Sequence, residues 1–222
     1  MSSVNLKESI AEIGNKMIHC NNDCEGASCD LSNGILPRGL ILEERPGAKG
    51  CIIVGINPGS PTKKDDFERE NYKKDPSYSK QLEVWDTVKD YKYHTKLRNF
   101  LNELGFDGDM LWTELVKCEN SIRRHLPTHT TFRNCMGEYL NKELKLFDTS
   151  YPIIAVGKMP FTALKYSFLD RTIIGIPHPT GSYGYFDNLS KTPILNKKIC
   201  DELLDGEAIW LYDLVIPKDV KL

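Results

Sequence analysis

Four short apolar runs that alternate with helical patterns most constrain the fold of this chain. The runs are CIIVGI (51–56), MLWTELVKC (110–118), YPIIAVG (151–157) and RTIIGIP (171–177). The helical patterns are TKLRNFLNEL (95–104), TTFRNCMGEYLNKELKLF (130–147), MPFTALKYSF (159–168) and LNKKICDELL (195–204). The predicted N-cap of the second pattern is Thr130 or Thr131. This alternation predicts an α/β fold class, a three-layer α/β/α arrangement around a central, mostly parallel four-stranded sheet.

The remaining segments are assigned around this sheet. Apolar residues at helical spacing from Leu6 to Met17 predict a first amphipathic helix. Residues 19–50 are rich in Asn, Asp, Gly, Pro and Ser and predict a loop, and the polar residues 60–80 predict an exposed excursion. AIWLYDLVI (208–216) is interpreted as an edge strand or a packed tail. With 222 residues, the chain is expected to form a single domain over residues 1–222.

Charge and hydropathy limit where the protein acts and what it binds. No stretch approaches the eighteen or so apolar residues of a membrane span, and the amino terminus has no apolar signal core. We expect an intracellular protein of the cytoplasm or nucleoid. The formal net charge is −2, so nucleic-acid contact depends on a local basic patch. The candidate patch, KCENSIRRHLPTHTTFR (117–133), is either a solvated loop or a phosphate-binding segment.

Two unusual turns follow the first and the fourth predicted strand. GINPG (55–59) carries one polar side chain, Asn57, whose amide can both donate and accept and so orient a water. HPTGSYG (178–184) carries His178, which can donate to a developing anion. Either residue alone is also typical of an Asx turn or of a structural histidine. Because open α/β sheets bind ligands beyond the carboxyl ends of their strands, we expect both turns to face one crevice.

The seven cysteines of an intracellular chain are expected to bind metal or to be buried, because disulfides are rare inside cells. Cys51 and Cys200 lie in apolar segments and are interpreted as core residues. The other five form an early group and a central pair, namely Cys20, Cys24 and Cys29, then Cys118 and Cys135. Thiolates suit zinc and iron-sulfur clusters equally well, so the residues alone leave both open.

The order of these motifs resembles the uracil-DNA glycosylase superfamily. GINPG is similar to motif one of its mismatch-specific branch, and His178-Pro179-Thr180 resembles the HPS or HPA core of motif two. ELVKCENSIRRHLPTHTTFRNCMGEYL (114–140) and PIIAVGKMPFTAL (152–164) resemble the iron-sulfur branch, often called family 4. There a strand ends in VKC, and an Arg- and Pro-bearing loop leads to a helix with a further cysteine. The likeness spans roughly residues 24–182.

The resemblance implies a [4Fe-4S] cluster, with zinc as the alternative metal. Cys118 and Cys135 match the third and fourth ligands of the iron-sulfur branch, and Cys29 resembles the second. The first ligand is Cys24 or Cys20, and we prefer Cys24 because its spacing to Cys29 is nearer the C-x-x-C of the family. The expected role of the cluster is to hold the Arg-rich loop against DNA.

The resemblance also implies a monomeric DNA glycosylase of base excision repair that hydrolyses the N-glycosidic bond of uracil or another deaminated or damaged base. His178 would stabilise the departing base anion at its O2 atom, and Asn57 would position the water that attacks C1′. Other residues are assigned to the flipped base: Gly55, Ile56, Pro58, Gly59, Phe67, Glu114 and Thr180. A further set is assigned to the DNA backbone or the vacated stack: Arg123, Arg124, Gly181, Ser182 and Tyr183.

Three positions depart from the iron-sulfur branch. Its members commonly have Glu at the position of Asn57, and uracil-specific members have an Asn at the position of Glu114 that reads O4 and N3–H of uracil. An ionised Glu accepts from N3–H but repels O4, whereas a protonated Glu pairs with an exocyclic amine and its neighbouring ring nitrogen, so the preferred base stays open. The stacking aromatic is also displaced, and we prefer Phe67 among the candidates Phe67, Tyr72, Tyr91 and Tyr93.

Two other functions are consistent with these residues. Arg123-Arg124-His125-Leu126-Pro127 is similar to the loop of a relative that traps uracil covalently through a histidine, although one residue rather than two separates the His from the Pro. Alternatively, the chain is a catalytically inactive nucleic-acid-binding protein that is stabilised by a bound metal. It could equally be a processing factor that acts on free nucleosides. The weak net charge and Glu114 favour a non-catalytic protein, and the presence of both Asn57 and His178 opposes it.

Overall fold

The computed structural model describes residues 3–58, 66–121, 126–191 and 206–214. Its strands are β1 (Ala27–Ser28), β2 (Ile41–Glu43), β3 (Cys51–Gly55), β4 (Met110–Glu114), β5 (Glu119–Asn120), β6 (Ile153–Val156), β7 (Ile173–Ile176) and β8 (Ala208–Trp210). Its α-helices are α1 (Ser3–Ile18), α2 (Asp66–Lys74), α3 (Tyr78–Val88), α4 (Lys92–Glu103), α5 (His129–Cys135), α6 (Asn141–Leu144), α7 (Lys158–Ser167) and α8 (Tyr185–Ser190).

Six of the described strands form one mostly parallel sheet in the order β2-β4-β3-β6-β7-β8. β6 pairs in parallel with β3 and β7, and β7 pairs in parallel with β8. The predicted three-layer α/β/α class is confirmed, but six described strands form the sheet rather than four. One additional strand, β8, lies at an edge of the sheet within AIWLYDLVI, so the edge-strand interpretation of this segment is confirmed over Ala208–Trp210. The other, β2, has only three residues, which is too short to show an alternating pattern in the sequence.

The central strands are buried along their whole length, as their apolar runs predict. Every residue of β3, β6 and β7 is buried. A parallel strand covered on both faces has no polar side to alternate with its apolar side. β3 and β7 point in the same direction because both run parallel to β6. The segments that follow Gly55 and Ile176 therefore leave the sheet at the same end of its parallel strands.

Three predicted helices are confirmed, and the polar segment 60–80 contains helices that the sequence does not predict. α1 buries Ile10 and Met17, α4 buries Leu97 and Phe100, and α7 corresponds to the pattern predicted over residues 159–168. Between residues 60 and 80, the described part contains α2 and the start of α3. Tyr72 and Tyr78 are buried there and anchor helices whose other faces are polar. No described helix is both long and apolar enough to cross a membrane.

The helix predicted over residues 130–147 is interrupted, and its cap lies earlier than predicted. α5 and α6 are separated by one π-helical turn over Met136–Leu140. The N-cap is Thr128, whose side chain accepts from the backbone N–H of Thr131, rather than Thr130 or Thr131. Both misassigned threonines follow Thr128 within three residues, so composition alone does not separate them. The helix predicted over residues 195–204 lies outside the described residues.

The chain divides into two compact units that alternate along the sequence. The first comprises Met1–Leu42, Ile56–Val88 and Trp112–Phe147. The second comprises Glu43–Gly55, Lys89–Leu111 and Asp148–Leu222. Asn57 and the cysteines 20, 24, 29, 118 and 135 belong to the first unit, and His178 belongs to the second. The expectation of a single domain over residues 1–222 stays a prediction.

Candidate active site

Asn57 lies two residues after β3, and its side-chain nitrogen donates two hydrogen bonds within the first unit. One bond goes to the carbonyl oxygen of Cys118 at 3.1 Å, and the other goes to Oδ1 of Asn120 at 2.7 Å. Because a backbone carbonyl can only accept, the nitrogen of the Asn57 amide must face Cys118. Among the described residues, none donates to Asn57 Oδ1. This oxygen can therefore accept a hydrogen bond from a water.

Strand β5 holds the partner of Asn57 in place. Asn120 on β5 is paired with Ala27 of β1, which belongs to the cysteine-bearing amino-terminal segment. Its neighbour Glu119 is 1% exposed and accepts from Arg38 Nη1 and, at 2.8 Å, from Arg69 Nη2. The sequence reasoning missed Asn120. Its only signal is its position two residues after Cys118, and a polar residue in a basic segment is equally typical of a solvated loop.

His178 lies two residues after β7, and the second unit holds it as a neutral imidazole. The backbone N–H of Thr180 donates to His178 Nδ1 at 3.3 Å. Burial lowers the pKa of His178 below its ordinary value of 6.5, so the ring is neutral at pH 7. Since Nδ1 accepts, the proton of the neutral ring is on Nε2. His178 therefore offers an Nε2–H donor, which is the group its predicted role requires.

Two neighbours in the second unit fix the plane of this imidazole. The ring centroids of Tyr93 and His178 lie 5.2 Å apart with an angle of 41° between the planes. A Cβ atom added to Gly181 would lie 3.2 Å from His178 Nδ1, a distance tighter than most real contacts. A glycine at position 181 thus lets the loop approach the ring. Its predicted contact with DNA stays a prediction.

The four candidate stacking aromatics have different surroundings. Phe67 is 51% exposed on α2, and Tyr91 is 44% exposed just before α4. Tyr72 is only 3% exposed, which leaves little of its ring for a base. Tyr93 is half-buried and contacts His178. The assignment of Phe67 stays a prediction, and the ring contact gives Tyr93 a physical reason to be tested beside it.

The loop after His178 presents one aromatic side chain to solvent. Tyr183 is 100% exposed, and its φ of 51° lies in the left-handed region that non-glycine residues seldom adopt. Ser182 is half-buried, and its hydroxyl oxygen accepts from the backbone N–H of Phe186 at 3.1 Å. Thr180 is exposed. The hydroxyl of Ser182 thus hydrogen-bonds to the start of α8, whereas the ring of Tyr183 is accessible to a ligand.

The basic segment 117–133 contributes fewer surface charges than its sequence suggests. Lys117 is fully buried, and its Nζ atom lies 2.8 Å from Glu143 Oε2, so the interpretation of Lys117 as part of a phosphate-binding patch is wrong. His129 and Arg133 are exposed on α5. Arg123 and Arg124 lie outside the described residues, as does Gly59 of the GINPG turn, and their assigned contacts stay predictions.

The rest of the GINPG turn continues from the sheet. Gly55 is buried as the last residue of β3. The carbonyl of Ile56 accepts from the backbone N–H of Val116 at 3.0 Å within the first unit. Pro58 is half-buried. The hydrogen bond to Ile56 joins the backbone before Asn57 to the segment that follows β4. The same segment contains Cys118 and Asn120, the two hydrogen-bond partners of the Asn57 side chain.

Four thiols line one pocket of the first unit. The pocket is bordered by Cys20, Cys24, Cys118 and Cys135, together with Lys117 and Tyr139 among others. Burial is the main cause that raises the pKa of the Cys135 thiol to about 11, and burial raises that of Cys118 as well. The backbone N–H of Lys117 lies 3.4 Å from Cys135 Sγ and donates to it.

The placement of the early cysteines differs from the ligand set that the resemblance implies. Cys29 is exposed and is not part of the lining of this pocket, whereas Cys20 is. Cys29 still lies close enough to raise the pKa of Cys118, as Cys20 and Cys24 do. In the described part of the chain, no three His, Cys, Asp or Glu side chains are placed to hold a metal ion. Four thiols in one pocket nevertheless form the kind of donor set that iron-sulfur clusters and zinc share.

The carboxyl group of Glu114 lies at the carboxyl end of β4. Its Oε2 atom is buried and has no hydrogen-bond partner among the described residues. Burial raises the pKa of this carboxyl to about 8, although the charges of Lys117 and Arg38 lower it. Glu114 is therefore mostly protonated at pH 7, and it is the residue whose effect on base choice the sequence left open.

The protein has a mostly parallel α/β sheet with polar side chains just beyond the carboxyl ends of its strands. These two features are typical of the class of open-sheet α/β proteins, which bind ligands outside the carboxyl ends of their strands. Within that class, the chain belongs to the uracil DNA glycosylase superfamily, whose family model matches residues 44–203. Members of this superfamily are generally glycosylases that act on DNA. The match includes Asn57, Glu114, Cys118, Cys135 and His178 but not the early cysteines. No curated protein matches the chain.

Proposed function

We propose that this protein is a DNA glycosylase that hydrolyses the N-glycosidic bond of uracil or another deaminated base, as a step of base excision repair. Membership of the superfamily supports the reaction type. The observation that carries the proposal is the fixed amide of Asn57, whose two N–H groups are both engaged and whose oxygen is turned away from them. An Asn that served only as a turn residue would not need an amide orientation set by two acceptors.

The reaction begins with a base that has left the stack. Extrusion costs a few kcal/mol and costs least at mismatched or single-stranded sites. Tyr183 is suited to fill the vacated position because its ring is fully exposed on a turn where the backbone adopts a positive φ. The exposed residues His129 and Arg133 are suited to the phosphates that flank the lesion.

Bond cleavage separates a sugar with oxocarbenium character from a base anion. The Nε2–H of neutral His178 donates to the anion at O2, and one such preorganised hydrogen bond is worth roughly 3 kcal/mol. Asn57 Oδ1 accepts a hydrogen bond from the attacking water and so directs an oxygen lone pair toward C1′. No proton transfer to Asn57 is required, because the water attacks a carbon that already bears positive charge, and the proton that this water loses is taken up by the departed base anion.

The cysteine pocket is proposed to hold a [4Fe-4S] cluster. Cys118, Cys135 and Cys24 are its proposed ligands in either arrangement, with Cys29 as the fourth by resemblance or Cys20 by its place in the pocket lining. The cluster would supply structural support rather than chemistry at the base. The residues that depend on this support are Asn57 and Asn120, because the carbonyl of Cys118 and the strand pair β1-β5 connect them to the cysteine-bearing segments.

A base-panel assay tests the proposal. Purified protein is incubated with single-stranded and duplex oligonucleotides that contain uracil, hypoxanthine, xanthine or a T:G mismatch, and alkali-labile sites are measured. Asn57→Ala and His178→Ala should each lower cleavage at least about a hundredfold without unfolding the protein. Asn134→Ala serves as the matched control because Asn134 is exposed on α5 and has no role in the proposed mechanism.

The same assay separates the alternatives. Binding without cleavage of any base would establish a non-catalytic module and overturn the proposal. A protein-DNA adduct that survives SDS would instead indicate covalent trapping. Cleavage by Asn57→Ala at the wild-type rate would remove the water-positioning role on which the mechanism depends.

A further inference from the structure

The carboxyl group of Glu114 is the one feature of the described site whose chemistry the mechanism above does not use. Its Oε2 atom is buried and has no hydrogen-bond partner among the described residues. Native proteins seldom leave a buried polar atom unpaired, and an exception calls for an explanation such as a missing ligand. A ligand that completes the hydrogen bonds of Glu114 is the explanation pursued here.

Glu114 is placed beside the Asn57 turn by backbone hydrogen bonds of the first unit. Val116, two residues after Glu114, donates to the carbonyl of Ile56, the residue before Asn57. Two residues further, the Cys118 carbonyl accepts from the Asn57 amide. The segment that starts at Glu114 therefore runs alongside the turn that carries Asn57, and a base held near Asn57 would lie close to this carboxyl group.

Close packing limits how far the Glu114 side chain can move. A Cβ atom added to Gly39 would lie 2.9 Å from Glu114 Cγ, and Gly39 has a φ of +93°. The loop that carries Gly39 thus approaches the methylene of Glu114 more closely than any other residue type allows. This contact leaves the carboxyl group as the part of Glu114 that can meet a ligand.

The charged groups around Glu114 are already engaged with one another. Lys117 Nζ pairs with Glu143 and donates to the backbone carbonyl of Glu114, not to its carboxyl group. Arg38 pairs with Glu119 and Glu68. Burial is the largest influence on the pKa of Glu114, which lies at about 8; Lys117 and Arg38 lower this pKa, and Glu143 raises it. The carboxyl is therefore a neutral acid at pH 7.

We propose that Glu114 reads the flipped base as a neutral carboxylic acid and selects bases that carry a carbonyl oxygen next to a ring N–H. Its O–H donates to the carbonyl oxygen, and its C=O accepts from the ring N–H. A neutral acid thus offers one donor and one acceptor side by side, which is the pattern of an amide. Uracil, hypoxanthine and xanthine all present the matching edge, so the deaminated bases belong to the substrate class, although thymine and guanine share this edge. A neutral acid can also pair with the amine and ring nitrogen of cytosine or adenine, so Glu114 discriminates against these two bases when the base departs rather than when it binds.

The same hydrogen bond favours departure of these bases. The departing base carries negative charge that spreads onto its carbonyl oxygen, and a donor at the oxygen beside the ring N–H stabilises this charge. Neutral Glu114 supplies that donor. Cytosine and adenine have an amine at this position and gain no such stabilisation. An ionised Glu114 would repel the developing charge, so activity should decline as this carboxyl titrates.

This inference rests on the proposed glycosylase function, and the test separates the two. Single-turnover excision of uracil, hypoxanthine, xanthine, cytosine and adenine from single-stranded oligonucleotides is measured across the pH range that spans the pKa of Glu114. For the wild type we expect excision of the three deaminated bases and a rate that falls about tenfold per pH unit above about pH 8. For Glu114→Gln, whose amide keeps a donor and an acceptor but does not titrate, we expect no such fall.

A matched control and a second measurement complete the experiment. Glu103→Gln alters an exposed carboxyl at the end of α4 and should keep the wild-type pH profile. Infrared spectra at neutral pH should show the band of a protonated carboxylic acid in the wild type that Glu114→Gln lacks.

The contrary outcomes differ for the two proposals. Parallel pH profiles for the wild type and Glu114→Gln, preferred excision of cytosine or adenine, or an absent infrared band would overturn the inference and leave the glycosylase function standing. Failure of the wild type to excise any base at any pH would overturn the glycosylase function and the inference with it.

Discussion

The side-chain nitrogen of Asn57 donates to Oδ1 of Asn120 across 2.7 Å, and Asn120 belongs to a strand that pairs with the cysteine-bearing amino-terminal segment. The residue proposed to position the water is therefore held by a partner that lies sixty-three positions away in the chain. The second acceptor, the Cys118 carbonyl, belongs to a proposed cluster ligand. Asn57 and the cysteine pocket thus belong to one hydrogen-bonded structure in the first unit.

Replacing Asn120 by Ala should slow base excision without weakening DNA binding. The Asn57 amide would keep only its bond to Cys118 and could rotate, and the loss of one hydrogen bond corresponds to roughly a tenfold lower rate. Asn120→Asp keeps an acceptor oxygen and should retain more activity than Asn120→Ala. Single-turnover rates and DNA dissociation constants measured side by side check this, with Asn134→Ala as the control. Equal rates for both Asn120 variants and the wild type would show that Asn120 has no positioning role.

Gly181→Ala should displace the imidazole of His178. The added Cβ would lie 3.2 Å from Nδ1, so the ring must move by a few tenths of an ångström, and a displaced donor stabilises the base anion less well. We expect a rate loss of about tenfold and an unchanged melting temperature. Gly137→Ala is the matched control because its added Cβ would have nothing within 4 Å. A wild-type rate in Gly181→Ala would mean that the loop can adapt around the ring.

The sheet could be predicted from sequence because its central strands are continuous apolar runs. β3, β6 and β7 need no alternating pattern, since both of their faces are buried. The edge strand β2 has too little pattern in its three residues to be predicted, whereas β8 falls in the segment 208–216 that is interpreted as an edge strand or a packed tail. The helical structure of α2 and of the start of α3 is not evident from the sequence, because these helices are anchored by only a few buried side chains such as Tyr72 and Tyr78.

The candidate site was predictable only as far as its local motifs extend. Asn57 and His178 stand in turns that follow strands, which the sequence displays directly. Asn120, Arg38 and Arg69 act through contacts with residues far away in sequence, and no local pattern marks them. Lys117 was misjudged for the same reason. A lysine in a basic segment resembles a phosphate ligand until its partner Glu143 is found beside it in the folded chain.

Lys117→Met should destabilise the protein rather than weaken its hold on DNA. Lys117 and Glu143 are both fully buried, and Thr113 Oγ1 also donates to Glu143 Oε2 at 2.6 Å. Removing one partner of a buried ion pair leaves an uncompensated charge, at a cost of about 3–5 kcal/mol in the free energy of unfolding. The double variant Lys117→Met/Glu143→Leu should recover part of this loss. Urea unfolding checks both variants, and a stable Lys117→Met protein with weakened DNA affinity would restore the phosphate-binding interpretation.

Single cysteine variants should identify the proposed cluster ligands. Cys24→Ala, Cys118→Ala and Cys135→Ala should each lose bound iron and the visible absorption that accompanies it. Because Cys20 lines the pocket and Cys29 is exposed, we expect Cys20→Ala to lower the iron content more than Cys29→Ala does. Iron and sulfide analysis of protein purified without oxygen decides between the two. The reverse order would restore Cys29 as the ligand, and zinc in place of iron in the wild type would exclude the cluster.

The stability of the protein should depend on pH through Glu114. Its carboxyl has a pKa of about 8 in the folded protein against an ordinary value of 4.5, so the folded state binds more protons than the unfolded state between these values. The free energy of unfolding should therefore decrease as pH rises through this window, by at most about 1.4 kcal/mol per pH unit, and this contribution should stop changing above it. Glu114→Gln does not titrate, so its stability relative to the wild type should rise from about pH 5 to about pH 8. Urea unfolding of both proteins across this range measures the difference, with Glu103→Gln expected to follow the wild type. A constant difference would show that Glu114 is ionised in the folded protein, and its carboxylate would then repel the carbonyl group of a deaminated base.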